Sequence, residues 1–393
     1  MDIIITSLQS WDITIGSNIV NIAQEISKSH RVLFVNYGLD RLTLMRRNNP
    51  TLIAKVKRAK EDPEHGLTRI HGQLWVLTPT VILESCSQVK PKFLFTYLNY
   101  LNGKRMAGVI REAIKKIGFS QYTLFTDNDL YRSFYLKDLL RPDRFIYYIR
   151  DYTITTPYYR IYGPFIEKIL IGKADVVLTN SISLAQYAKP NNPNTHYVGQ
   201  GCDTRSFNGE KSYPIPDDMK DIPHPIVGYT GALVKLRLDM ELIGYLAKQR
   251  PGWSIVLVGP EDEYFRSSHL HHIPNVHFLG NKKPQELPQY IAACDVTFNP
   301  QAINEITIGN YPRKVDEYLA MGKPVVTTKT DAMMIFEAYV YLSSSHEEFL
   351  HQIDVALKEN TEVLSHERIG FARSHSWEEH VKLIIQHIFG HVH

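Results

Sequence analysis

Short runs of β-branched and aliphatic residues alternate along this chain with longer stretches in which apolar residues recur every three or four positions. The short runs predict strands at residues 2–6, 31–35, 74–78, 121–126, 144–149, 175–179 and 195–198. Several are near-continuous Ile, Val, Leu or Phe, as strands covered on both faces require. Between them, residues 17–29 place Ile19, Ile22, Ala23 and Ile26 on one helix face, and residues 93–117 and 164–173 carry the same period. Alternation of this kind predicts an α/β chain with parallel sheets sandwiched by helices.

The pattern breaks at residues 208–225, where Gly209, Pro214, Pro216, Pro223 and Pro225 crowd together with three aspartates. Such a segment reads as a linker. Strands resume at residues 226–229, 254–258, 276–279, 295–299 and 324–328, with helices near 238–249, 284–293 and 314–321. Residues 347–389 are helical in pattern throughout, with Ser376 placed to cap the last helix. The expected division is a first Rossmann-like domain at 1–207, a linker at 208–225, a second Rossmann-like domain at 226–374 and a C-terminal helix at 375–393. A length of 393 residues suits two domains.

Charge sharpens this division. The net charge is +3, but residues 1–200 carry 26 Lys and Arg against 16 Asp and Glu, so the first half is basic and the second acidic. Three widely spaced cysteines, Cys86, Cys202 and Cys294, exclude a disulfide scaffold and point to a reducing cytoplasm. The opening Met1-Asp2-Ile3-Ile4-Ile5-Thr6 lacks the basic start of a secretory signal, and no uninterrupted apolar stretch is long enough to span a bilayer. A cytoplasmic protein is expected, peripheral at most on the inner face of the membrane.

Ligands of open α/β sheets bind beyond the carboxyl ends of the strands, so residues just after strands are the candidates. Gly16 ends the loop after the first strand and precedes a helix whose free N–H groups suit an anion. No G-x-G-x-x-G accompanies it, which counts against a dinucleotide oxidoreductase. In the second domain, Gly231 follows a strand and is itself followed by Lys235 and Arg237, read as cations at a helix start that neutralise a diphosphate. Asp151 ends the strand at 144–149, where it can orient or deprotonate a hydroxyl. Asp127-Asn128-Asp129 reads as the acidic start of a helix, and His269, His271 and His272 as surface residues without a fourth ligand at zinc spacing. The basic run 55–60, with Arg41, Arg46 and Arg47 upstream, suits an anionic lipid surface. Nucleic acid is not expected, because no binding module accompanies the charge.

The segment from Asn304 to Val326, with Pro312-Arg313-Lys314-Val315-Asp316-Glu317 and Met321-Gly322-Lys323-Pro324-Val325, resembles the donor-binding signature of the GT-B glycosyltransferases of family 4. Gly201-Cys202-Asp203-Thr204-Arg205-Ser206-Phe207, the strand and loop ending at Gly259 and Gly280, and Ser376-Trp377 extend the resemblance, which is greatest to bacterial enzymes of the teichuronic-acid type. It implies two facing Rossmann-like domains and a glycosyltransferase that moves a sugar from a UDP- or GDP-type donor to a saccharide or lipid-linked hydroxyl. Retention of configuration and independence from metal and cofactor are implied as well. Glu317 would hold ribose, with Lys314 near the phosphates or ribose, and Gly231, Gly259 and Gly280 would border the nucleotide. The sequence departs from the broader family at Gly309, eight residues before Glu317, where a second glutamate is common; Asn304, Glu305 or Thr307 would then stand in. It departs again at Ala232, where a cation is common. Those departures keep two alternatives open, a sugar-nucleotide epimerase and a non-catalytic nucleotide-sugar-binding protein.

Overall fold

The computed structural model describes residues 2–13, 17–304, 307 and 311–390. They form two compact units, one of Met1–Gly199 with Val381–His393 and the other of Gln200–His380.

Unit 1 is built on an eight-stranded sheet. Its strands are β1 (Asp2–Ser7), β2 (Arg31–Val35), β4 (Leu67–His71), β5 (Leu74–Leu77), β7 (Tyr122–Asp127), β8 (Arg144–Ile149), β9 (Val176–Thr179) and β10 (Thr195–Tyr197), with β3 (Leu39–Asp40) and β6 (Ile82–Leu83) forming a small separate pair. The order is β10-β9-β8-β7-β1-β2-β5-β4, all parallel except the β4–β5 hairpin. Ile3, Ile4 and Ile5 are fully buried in the central strand, which is why β1 shows no alternation of apolar and polar positions. The hairpin strand β4 was not expected; four of its five residues are exposed, so it lacks the apolar run that betrays the others. The helix Lys92–Ile117 covers one face, burying Phe95, Met106, Ala107, Ile110 and Ala113.

Unit 2 holds a six-stranded parallel sheet. Its strands are β11 (Ile226–Thr230), β12 (Ser254–Val258), β13 (Val276–Gly280), β14 (Val296–Asn299), β15 (Val325–Thr328) and β16 (Tyr341–Ser343), in the order β13-β12-β11-β14-β15-β16. Strand order reverses direction between β11 and β14, the topological switch point at which a crevice opens beyond the strand ends. Unit 1 has the matching reversal between β1 and β7.

The contact boundary falls at Gly199/Gln200, earlier than the expected 207/208, and residues 208–225 belong to unit 2. Two contacts explain the shift. Cys202 donates its N–H to the His375 carbonyl at 2.7 Å, and a Cβ on Gly201 would lie 2.1 Å from the Trp377 ring, so only glycine admits the indole there. Within residues 208–225, Met219 is buried in a small cluster with Ile226, Val256, Val258, Tyr290 and Cys294. The helical tail resolves into three helices, His346–Glu359, Glu362–Ser374 and Trp377–Phe389. Residues 381–390 are part of unit 1, where Arg144 donates to the Ile388 carbonyl at 2.5 Å and His196 stacks on His387 with ring centroids 4.1 Å apart. Among the described residues no helix is long and apolar enough to cross a membrane.

Candidate functional site

The switch point of unit 2 is lined by strand ends that only glycine can make. Gly231 follows β11 with φ +139° and Gly259 follows β12 with φ +154°. A Cβ on Gly259 would stand 1.9 Å from the Gly231 carbonyl oxygen, and Gly259 donates its N–H to the Gly280 carbonyl at 2.9 Å. Three sequence-predicted glycines thus meet at one backbone edge, leaving it bare of side chains.

A helix, Arg313–Ala320, is fastened against this edge from the other side of the switch point. The buried Tyr318 does the fastening: its hydroxyl accepts from Thr230 N at 2.8 Å and donates to the Thr230 carbonyl at 3.3 Å. One turn earlier on the helix, Lys314 Nζ lies 2.5 Å from the Tyr229 hydroxyl and 4.3 Å from that ring's centroid. Its terminal atoms would be 3.3 Å from a Cβ on Gly231, so the ammonium group lies against the glycine edge. Glu317, three residues on, keeps 14% of its side chain exposed and accepts from Arg313 Nε at 3.3 Å. Burial pushes its carboxyl above the usual range, while the positive charges of Arg313 and then Lys314 oppose the rise. Gly322 then takes φ +70°, and Lys323 donates to the carbonyls of Ala292 and Cys294 at 2.6 and 2.7 Å. The Gly-Lys-Pro-Val ending is thus a structural stop that ties the helix to the sheet.

Lys235 and Arg237 do not sit at a helix start, as expected, but on an exposed turn before one. The helix begins at Met240, and Asp239 caps it by accepting from Leu242 N at 2.9 Å. Because that carboxylate occupies the helix's first turn, its amides are a poorer place for a second anion than the sequence suggested. The turn is held at both ends. Leu233 bridges to Glu261 and Lys235 N donates to Asp262 at 2.9 Å, while Leu238 bridges to Gln301. The Lys235 ammonium rests 4.6 Å from the Tyr264 ring centroid.

Asn304 and Thr307 bind each other rather than project together. Asn304 N donates to Thr307 Oγ1 and Thr307 N to Asn304 Oδ1, each at 3.1 Å. Thr307 is buried, with its hydroxyl donating to the Ala302 carbonyl, so it shapes its loop; Asn304 ties that loop to the cationic turn through the Leu236 carbonyl at 2.8 Å. Gly16, Glu305 and Gly309 lie outside the described residues.

The sequence reading missed Arg313, Tyr229 and Tyr318, whose contacts place Glu317 and Lys314. It also missed a buried cluster on the same helix. Asp316 accepts from Tyr311 at 2.5 Å and pairs with His375 Nδ1 at 2.8 Å, and burial raises its carboxyl despite both partners. The residue type gave a signal: an aspartate on the apolar stripe with Val315 and Leu319 must be paired.

In unit 1 the switch point is also polar. Ser7 donates to Asp127 at 2.6 Å, Asp127 holds Arg150 Nε at 2.7 Å, and Arg150 Nη1 reaches Asp151 at 3.1 Å. Asp151 itself is exposed. Asn128, at φ +49°, accepts Arg150 N at 2.6 Å, and Asp129 pairs with Arg132 at 3.2 Å, so this acidic run braces the turn after β7. In the basic run, Lys55 pairs with Asp12 at 2.7 Å, whereas Arg58, Lys60, Arg46 and Arg47 are exposed, as is Met45, at 74%. Among the described residues no three His, Cys, Asp or Glu side chains form a metal-sized group.

Residues 224–358 match the family model described as glycosyl transferases group 1. TuaH of Bacillus subtilis (strain 168), named for teichuronic acid biosynthesis as a glycosyltransferase, is 29% identical over 191 residues. That alignment covers 46% of this chain and 47% of TuaH, about half of the relative's length. Among solved structures, Anabaena HepE in complex with UDP superposes with a TM-score of 0.66 at 16% identity, over 98% of this chain and 99% of that one. Sucrose-phosphate synthase from Thermosynechococcus elongatus gives 0.65 at 14% identity, over 98% and 97%. OtsA without ligand gives 0.69 at 10%, over 100% of both.

Proposed function

We propose that residues 224–358, which match the group 1 glycosyltransferase model, are the donor-binding part of a GT-B fold, and that the chain transfers a sugar from a nucleoside diphosphate sugar to an acceptor hydroxyl. The observation that carries this is the convergence, at one switch point, of a bare glycine edge, the Lys314 ammonium and the Glu317 carboxylate.

Each part has a task that its chemistry suits. The glycine edge admits a flat nucleoside close to backbone. Glu317 accepts hydrogen bonds from both ribose hydroxyls, for which an ionised carboxylate is the best acceptor. Lys314, with Lys235 and Arg237, balances the diphosphate. During transfer the acceptor oxygen bonds to the anomeric carbon as the bond from that carbon to the β-phosphate oxygen breaks. Charge then gathers on the departing nucleoside diphosphate, where fixed cations lower the barrier most. The acceptor hydroxyl loses its proton; Asp151 in unit 1 is the proposed base, oriented by the Asp127–Arg150 pair. Configuration is retained in this proposal because the acceptor oxygen attacks on the face from which the diphosphate departs, and the cations balance the leaving charge that a metal would otherwise hold.

HepE was solved with UDP, which supports a UDP-type donor, and TuaH, named for teichuronic acid biosynthesis, supports a place in bacterial polysaccharide synthesis; the inner face of the membrane is this proposal's own placement. The exposed cations Arg46, Arg47, Arg58 and Lys60 would hold the protein at anionic headgroups, each worth about 1 kcal/mol near the surface. The test is nucleotide release from a panel of UDP- and GDP-sugars with and without saccharide acceptors. Acceptor-dependent release is the expected result. An altered donor without acceptor would mark an epimerase, and binding without turnover would mark a non-catalytic protein; either would overturn the proposal.

A further inference from the structure

Exposed apolar side chains concentrate in two short segments of unit 1. Helix Lys92–Ile117 buries Phe95, Met106, Ala107 and Ile110 on one stripe, yet carries a second stripe of Phe93, Tyr97 and Tyr100 at helical spacing. Phe93 is 78% and Tyr97 58% exposed. Tyr158, Ile161 and Phe165, at and before the start of helix Gly163–Lys173, are exposed as well. The two segments touch: Lys92 Nζ stands 4.0 Å from the Phe165 ring centroid, Tyr162 stacks on Phe95 with centroids 4.0 Å apart, and the Tyr162 hydroxyl donates to the Lys90 carbonyl. Tyr135, 5.3 Å from Tyr100 between ring centroids, completes an open groove with Phe93 and Tyr97. Single exposed aromatic residues are ordinary, whereas a contiguous set marks a surface that something else covers.

The charge around this face has one sign. Residues 85–111 hold five Lys and Arg and no Asp or Glu. Residues 152–173 hold three Lys and Arg and one acid, Glu167, which is buried and accepts from Tyr147 and Tyr187 at 2.9 and 2.8 Å. Asp138, the acid nearest Tyr135, is held by Lys173 at 2.6 Å. Lys90, Lys92, Lys104, Arg160 and Lys168 are all exposed, and Lys104 lies 5.7 Å from the Tyr100 ring centroid.

We propose that this aromatic face enters the boundary between headgroups and acyl chains of an anionic lipid surface. Tyrosine suits that boundary, with an apolar ring and a hydroxyl that stays among the headgroups. Lysine stems lie along the rings while their ammonium groups reach lipid phosphates. A second copy of the chain would set the same cations against each other, and a soluble polyanion would leave Phe93 and Phe165 in water. The inference deepens the headgroup contact proposed above and rests on it for the long-range attraction: Arg46, Arg47, Arg58 and Lys60 draw the chain to the surface, and the aromatic face enters it. Glu84 links the two regions, accepting from Arg41 of helix Arg41–Arg46 and from Arg105 of helix Lys92–Ile117, each at 2.9 Å.

The test uses the full chain at low salt with vesicles of phosphatidylcholine and phosphatidylglycerol, made with and without bromine on the acyl chains. Bromine quenches an indole that reaches the acyl region. The indole introduced by Phe93→Trp is expected to shift to the blue and be quenched, against the baseline of the parent, whose four tryptophans lie elsewhere in the chain. Phe93→Ser combined with Tyr97→Ser should weaken vesicle binding by about tenfold or more, because two aromatic side chains no longer leave water, and should leave the melting temperature unchanged, because both are exposed. An unquenched indole in vesicle-bound protein, or equal binding by the double variant, would overturn the proposal and leave the headgroup contact standing. Quenching that survives replacement of Arg46, Arg47, Arg58 and Lys60 by Gln would defeat that contact and leave the aromatic face. Absence of vesicle binding by the parent would defeat both. Sedimentation velocity without lipid tests the other occupant: a dimer that the double variant dissociates would assign this face to a second copy and overturn the proposal.

Discussion

Replacing Lys314 by methionine removes one positive charge from the glycine edge and keeps most of the side chain's bulk. The ammonium lies 2.5 Å from the Tyr229 hydroxyl and against Gly231, half-buried, where its interaction with a phosphate would be only partly screened. A hydrogen bond to a charged group is worth about 1.5–3 kcal/mol, so the dissociation constant for the preferred nucleoside diphosphate should rise roughly 10- to 150-fold. Folding should suffer much less. The cation–π contact with Tyr229 contributes about 0.5–1 kcal/mol at a partly exposed site, and methionine restores apolar contact with the same ring. Isothermal titration with UDP and GDP reads the first quantity and thermal unfolding the second. Tyr229→Phe serves as the control, since it removes the neutral partner but leaves the charge, and should change affinity less than Lys314→Met. Unchanged affinity in Lys314→Met, or a loss of affinity matched by a large fall in stability, would refute the idea that this lysine faces a diphosphate.

Four further outcomes are expected. Gly259→Ala should lower stability by about 1–3 kcal/mol and impair nucleotide binding, since its φ of +154° and the 1.9 Å approach to the Gly231 carbonyl leave no room for a methyl group; thermal unfolding and titration check both. The Lys235→Ala, Arg237→Ala pair should reduce turnover while shifting stability within about 0.5 kcal/mol, because both side chains are exposed; full activity in a transfer assay would dismiss their role. Arg41 and Arg105 draw the Glu84 carboxyl down to about 2, below its ordinary 4.5. A depressed carboxyl stabilises the fold above its unfolded value and loses that contribution as pH falls toward 2, so Glu84→Gln should flatten the melting-temperature profile between about pH 4.5 and 2 relative to the parent. Anionic liposomes should sediment the protein at low salt and release it at high salt, with Arg46, Arg47, Arg58 and Lys60 replaced by Gln abolishing the effect.

Most of both sheets was legible in the sequence, because central parallel strands are continuous apolar runs and the helices between them carry a clear period. The elements that escaped lack that signature. Strand β4 is largely exposed, and β16 has only three residues, so each depends on a neighbour for its pairing. The early unit boundary was hidden because it depends on Gly201 meeting Trp377, residues 176 positions apart. Of the candidate site, Glu317, Lys314 and the three glycines could be named from motif and spacing. Their supports could not. Tyr318 and Tyr229 read as ordinary apolar positions until the fold brings Thr230 and Lys314 beside them. Lys235 and Arg237 were read at a helix start because the helix was begun at 238, two residues early; Asp239, read as part of the helix, is its cap.

The acidic grip on ribose can be tested by pairing a change in the protein with a change in the ligand. Titration of the nucleoside diphosphate that binds, and of its 2′,3′-dideoxy form, against the parent protein and Glu317→Ala gives four affinities. If Glu317 holds the two hydroxyls, their removal costs the parent about 1.5–3 kcal/mol and costs Glu317→Ala almost nothing. An equal loss in both proteins would mean that the carboxylate never touches the sugar, and the assignment of the donor site would fall with it.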